Sequence, residues 1–127
     1  MSIRRYLAVI ALAASTLIGV SGAEARRDPN EPLPPIAAAD LPKEARITLE
    51  RIRDRGPLPY ERDGVPFGNF ERMLPPKPRG YYHEYTVRTP GSRSRGARRI
   101  VCGGEKSSVS DCYYSDDHYQ SFKSIRP

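Results

Sequence analysis

The sequence predicts an α+β fold in which one N-terminal α-helix is followed by an antiparallel β-sheet. Three observations lead there. One segment repeats apolar residues at helical spacing, with Ala45, Leu49 and Ile52 on one face. After Gly56-Pro57 that spacing does not return. Short extended pieces separated by Gly and Pro follow instead, the punctuation expected of paired strands.

Arg4 and Arg5 precede an apolar run from Tyr6 to Val20, and Ala23-Glu24-Ala25 places small residues where a signal peptidase reads. Residues 1–25 are therefore predicted to be a cleaved secretory signal rather than a membrane helix. Ala and Ser interrupt the run, and it falls short of the roughly 20 apolar residues a span requires. From Arg26 to Asp40 the chain holds Pro29, Pro32, Pro34 and Pro35 among charged and alanine residues. Such a stretch buries little surface, and a flexible arm is expected. A helix begins after Leu41, with Pro42 suited to its first turn and Glu44 favourable near its positive end; Gly56-Pro57 ends it. The extended pieces are Val65 to Phe67, Phe70 to Met73, Tyr81 to Arg88, Ala97 to Cys102, Cys112 to Ser115 and Tyr119 to Ile125. Residues 41–127 are read as one small domain.

The formal charge of +6 concerns partners rather than fold. Nucleic acid, an acidic polysaccharide or an anionic surface would each be attracted. The arginines concentrate between 88 and 99, and no amphipathic basic helix suited to lying on lipid is present in the pattern. Cys102 and Cys112 are the two cysteines, in a chain expected to reach an oxidising compartment. A bridge between them and a buried free Cys102 are both open readings. Neither suggests a metal, because two cysteines and two separated histidines lack the spacing of a zinc ligand set.

The central piece Tyr81-Tyr82-His83-Glu84-Tyr85-Thr86-Val87-Arg88 puts one carboxylate ahead of Arg88, Arg93, Arg95, Arg98 and Arg99, with no acid from Tyr85 to Gly104. Alternation directs Tyr81, His83, Tyr85 and Val87 to one face and Tyr82, Glu84, Thr86 and Arg88 to the other. If 81–88 pairs with 97–102 across Thr89-Pro90-Gly91, Glu84 lies near Arg99, and the plain reading is a cross-strand ion pair. The functional reading makes Glu84 a general base within an anion site and adds His118 as the acid. His83 is the poorer acid, since its side chain leaves the face that carries Glu84.

Gly80 to Val87, the Thr89-Pro90-Gly91 turn, Arg95, Arg98-Arg99-Ile100-Val101-Cys102 and Asp117-His118-Tyr119 together resemble the guanyl-specific microbial ribonucleases of the barnase superfamily, the ribonuclease Sa group in particular. The resemblance extends over Leu41-Pro42 to Leu49, Gly56 to Tyr60 and Asp63 to Glu71. It implies the microbial ribonuclease fold, one helix packed on a twisted antiparallel sheet, and an RNA endonuclease that works without metal or cofactor. Glu84 would take the proton of the ribose 2′-hydroxyl and His118 would protonate the departing 5′-oxygen. Arg95 and Arg99 would hold the phosphate, and Tyr119 would add a hydroxyl contact.

The resemblance also implies a guanine loop spanning Phe67, Gly68, Asn69, Phe70 and Glu71. Glu71 would accept from guanine N1 and N2, loop amides would donate to O6, and Phe67 would stack on the base. Gly68 stands where a glutamine is usual and Phe70 where an arginine is usual, so a more flexible loop and a less strict guanine preference are expected. The relatives tie their chain ends with a disulfide; here a Cys102–Cys112 bridge would be a local replacement. The partners implied are single-stranded RNA and a small acidic barstar-like inhibitor. A secreted monomer, extracellular or periplasmic and without stable membrane association, is expected. The rival reading is a secreted basic module that binds RNA or another polyanion without cutting it.

Overall fold

The computed structural model describes residues 30–127 together with Ala13, Ser15 and Asp28. Apart from these, the predicted signal (1–25) and the start of the arm lie outside the described residues. Helix α1 runs Lys43–Arg53, with Pro42 at its N-cap, Glu44 in its first turn, and Arg51 and Arg53 in its last. Those charges complement the helix dipole. Its buried stripe is Ala45, Thr48 and Ile52, with Leu49 half-buried beside them. The Thr48 hydroxyl donates to the Glu44 carbonyl at 3.0 Å, so the buried polar atom is satisfied within the helix. Arg55, not Gly56, takes the left-handed conformation that closes the helix (φ 52°), and the Gly56 amide donates back to Arg51 at 2.8 Å.

Six strands form one sheet: β1 Pro35–Ala37, β2 Val65–Pro66, β3 Tyr82–Thr86, β4 Arg99–Gly103, β5 Cys112–Ser115 and β6 Lys123–Arg126. Their spatial order is β1-β6-β5-β4-β3-β2, antiparallel throughout except where β1 lies parallel to β6. The central strands β3, β4 and β5 are covered on both faces. Toward α1, Tyr85, Val87, Ile100, Cys102, Cys112, Tyr114 and Ile125 meet Leu41, Ala45 and Ile52. On the opposite face Tyr82, Val101 and Tyr113 pack with Leu33, Leu74 and Phe122. The Tyr82 hydroxyl donates to the Pro75 carbonyl and the Tyr113 hydroxyl to Asp111, both at 2.6 Å. These bonds lock the floor on which the polar residues stand.

Three expectations are corrected, the shortest being that the piece predicted as extended over Tyr119 to Ile125 becomes a strand only from Lys123, Tyr119 being left-handed in a turn. The arm predicted to be flexible over 26–40 is built into the fold from Leu33 onward. Leu33 is buried in the second core, Pro35–Ala37 pairs with β6, and Ala38–Asp40 forms a 3-10 turn. Local composition did not anticipate this because the strand owes its existence to a distant partner. Phe70 to Met73, predicted as extended, is a turn: Asn69 and Arg72 are left-handed, and the Arg72 amide donates to the Asn69 carbonyl at 3.0 Å. The cysteines are bridged. Cys102 and Cys112 stand directly opposite on β4 and β5 with Cα atoms 4.1 Å apart. Closing so short a loop stabilises the fold by roughly 2–3 kcal/mol in the chain-entropy account.

Candidate active site

The polar site stands on the sheet face away from α1. Pairing places Glu84 opposite Val101, Thr86 opposite Arg99, and Arg99 opposite Ser115, so alternation brings Glu84, Thr86, Arg99 and Ser115 to one surface. Glu84 is only 7% exposed. Its Oε2 accepts the Tyr119 hydroxyl at 2.9 Å, while Oε1 lies 3.6 Å from Arg62 Nε and 3.7 Å from Arg95 Nη2. Two cations and a hydroxyl compensate the buried carboxylate, so it is not stranded in apolar surroundings.

The expected Glu84–Arg99 ion pair is replaced by this arrangement. Arg99 faces Thr86 across the strand pair and turns its Nη1 to the carbonyls of Gly96 (3.0 Å) and Arg98 (2.8 Å). It is 2% exposed, and its guanidinium lies 5.9 Å from the Tyr119 ring centroid. Among the described residues, its Nε is a buried donor without a protein partner. Arg95 is aimed differently: its Nε and Nη2 both donate to Thr86 Oγ1, at 3.0 and 2.7 Å. The turn that delivers it requires Gly96, which has φ 67°, and a Cβ there would meet Thr89 Oγ1 at 2.5 Å.

His118 and Tyr119 come from the loop after β5. Both are left-handed, with φ 55° and 72°, and this costs side-chain-bearing residues on the order of 1 kcal/mol each. The His118 amide donates to the Ala97 carbonyl at 2.9 Å, and its exposed ring lies 4.9 Å from the Tyr119 ring. Burial pushes the Tyr119 hydroxyl pKa up, Glu84 pushes it further and Arg99 opposes; the net rise keeps the hydroxyl a donor.

The predicted base loop touches this cluster through Phe67, whose ring stacks on Tyr119 at 5.2 Å and 29°. Asn69 uses both ends of its amide on Leu74, donating to the carbonyl at 3.0 Å and accepting from the amide at 3.1 Å. Its side chain therefore shapes the loop, while Gly68, Phe70 and Glu71 are exposed. Phe70 is 94% exposed, and its ring covers Gly68 so closely that a Cβ there would lie 2.4 Å from it. The two departures from the usual loop are thus sterically linked.

Sequence reasoning missed three contributors. Arg62 precedes β2, whose Val65 pairs with Glu84, so the register of that short hairpin was the available signal. Thr86, which anchors Arg95, was visible as a neighbour on the Glu84 face. Asp117 accepts the Ser115 hydroxyl at 2.8 Å and the Ser121 amide at 2.9 Å, and spacing alone carried no hint of that clamp.

Residues 25–126 match the family model described as ribonuclease. Guanyl-specific ribonuclease Sa of Kitasatospora aureofaciens is 49% identical over 90 residues, covering 71% of this chain and 91% of that protein. Guanyl-specific ribonuclease Sa3 of the same organism is 52% identical over 85 residues, or 67% of this chain; the match spans 58% of that relative's length. Guanyl-specific ribonuclease St of Saccharopolyspora erythraea is 49% identical over 88 residues, covering 69% of this chain and 83% of that protein. Solved structures agree: ribonuclease Sa2 in complex with mononucleotides superposes with a TM-score of 0.71 at 48% identity, covering 77% of this chain and 98% of that one. Ribonuclease Sa2 with guanosine-2′-cyclophosphate gives 0.68 at 48% identity, covering 75% and 97%.

Proposed function

The chain belongs to the ribonuclease family, and from that premise we propose that it cleaves single-stranded RNA on the 3′ side of guanosine. The observation that carries the reading is the buried Glu84 carboxylate, flanked by Arg62 and Arg95 and bonded by Tyr119. In the first step Glu84 accepts the ribose 2′-hydroxyl proton as the 2′-oxygen bonds to phosphorus. The bond from phosphorus to the 5′-oxygen breaks, and His118 supplies the proton that the departing oxygen needs. A 2′,3′-cyclic phosphate results. With the roles reversed, His118 takes a proton from water, the ring opens and Glu84 returns its proton, leaving a 3′-phosphate.

Charge gathers on the non-bridging oxygens in both steps. Arg95, fixed by Thr86, and Arg99, with its open Nε, are oriented before substrate arrives, so little reorganisation is needed as that charge develops. Tyr119 adds a hydroxyl donor. Phe67 offers a stacking face and Glu71 a carboxylate for guanine N1 and N2, within a loop held by Asn69. DNA lacks the 2′-nucleophile and is not a substrate. The rest of the reading is that the protein is secreted through the 1–25 signal, acts as a monomer without a cofactor, and is held in check by a small acidic inhibitor that complements the arginine-rich face.

Purified protein lacking residues 1–25 should cleave a GpN dinucleotide through the cyclic intermediate with chelator present, and cleave ApN more slowly. Absence of GpN cleavage by folded protein that still binds RNA would favour the non-catalytic binding module.

A further inference from the structure

We propose that Asp117 is the positioning residue of the catalytic acid, holding His118 in the turn from which it reaches the leaving group; this rests on His118 being that acid. Two consecutive left-handed residues without glycine do not persist unless their surroundings over-determine them. Beside the His118 amide bond to Ala97 and the Tyr119 hydroxyl bond to Glu84, a set of bonds centred on Asp117 does so. Its Oδ1 accepts the Ser115 hydroxyl at 2.8 Å and the Ser121 amide at 2.9 Å, and its Oδ2 accepts the Ser121 hydroxyl. Ser115 Oγ in turn accepts the Tyr119 amide at 3.0 Å.

The clamp therefore ties the buried end of β5 to the chain beyond the turn, with His118, Tyr119 and Gln120 enclosed between its two ends. Ser115 is 1% exposed and belongs to the rigid sheet, so the reference point does not move. An ionised carboxylate suits the task because it accepts all three bonds at once and strengthens each. Burial disfavours the charged form, but the bonds from Ser121 and Ser115 outweigh it and hold the pKa below the usual carboxylate value. Asparagine can keep the acceptor at Oδ1 but cannot accept at the second position.

The test separates aim from fold by changing the leaving group. A GpN dinucleotide releases an alkoxide that needs a proton, whereas guanosine 3′-(4-nitrophenyl phosphate) releases a phenolate that leaves without one. Asp117→Ala should lower kcat on GpN by roughly 10- to 100-fold with little change in KM, and affect the aryl ester by less than about threefold. His118→Ala should show the same contrast more strongly, and Asp117→Asn should recover part of the loss. If Asp117→Ala does not fold, Ser121→Ala carries the same comparison. Equal losses on both substrates, or no loss on GpN, would overturn the proposal. If His118→Ala itself loses equally on both, the acid assignment falls and the proposal falls with it.

Discussion

Replacing Glu84 with glutamine keeps the shape of the side chain and removes its charge. A positioned general base contributes about 10²- to 10⁴-fold, so kcat/KM on GpN should fall by that factor, about 3–5 kcal/mol. Stability should change far less. The two arginines at 3.6 and 3.7 Å would each attract the carboxylate by about 4–5 kcal/mol at an effective dielectric of about 20. Their side chains are 62% and 32% exposed, however, and screening reduces such pairs to about 0–1 kcal/mol each. Opposing them is the cost of keeping a 7%-exposed carboxylate away from water, which glutamine does not incur. The net change should stay within about 1–2 kcal/mol. Binding of 3′-GMP should hold or tighten, because a negative neighbour of the phosphate is gone while Arg62 and Arg95 remain. Initial rates, urea unfolding and calorimetric titration with 3′-GMP read the three quantities. A folded variant retaining more than about a tenth of the parent activity, or one that loses 3′-GMP binding along with activity, would refute the assignment.

Reducing the Cys102–Cys112 bridge should destabilise the protein by roughly 2–3 kcal/mol, lowering Tm by about 10–20 °C for a domain of this size; an unchanged melting curve would contradict the loop argument. Asp117 has a folded pKa below its ordinary value of 3.8, so its stabilisation is complete above the unfolded value and is lost as pH falls through the folded one. The stability gap between parent and Asp117→Asn should therefore be constant near neutrality and close below about pH 4; a gap that widens in acid would reverse the sign. Gly68→Ala should displace the exposed Phe70 ring at little cost, within about 0.5 kcal/mol of folding stability, and alter the GpN-to-ApN rate ratio as Phe70→Ala does. The double variant should add nothing further, and additive effects in a double-mutant cycle would show the two positions to be independent.

The sequence by itself determined the parts that local chemistry governs. Ala45, Leu49 and Ile52 at helical spacing specified α1, Gly and Pro delimited the extended pieces of the sheet, and the residue set around Glu84 and His118 carried the family resemblance. Tertiary structure decided what depends on partners far along the chain. The parallel pairing of Pro35–Ala37 with β6 turned a proline-rich arm into an edge strand. The register of β3 against β2 and β4 moved the ion pairing of Glu84 from Arg99 to Arg62 and Arg95. The amide of Asn69 converted an expected strand at Phe70 into a turn, and the carboxylate of Asp117 spanned the left-handed pair His118 and Tyr119. In each case the deciding term is a hydrogen bond or packing contact that forms only once the chain has folded. Side-chain identity marked which groups could do the chemistry, and the pairing of distant strands decided which of them meet.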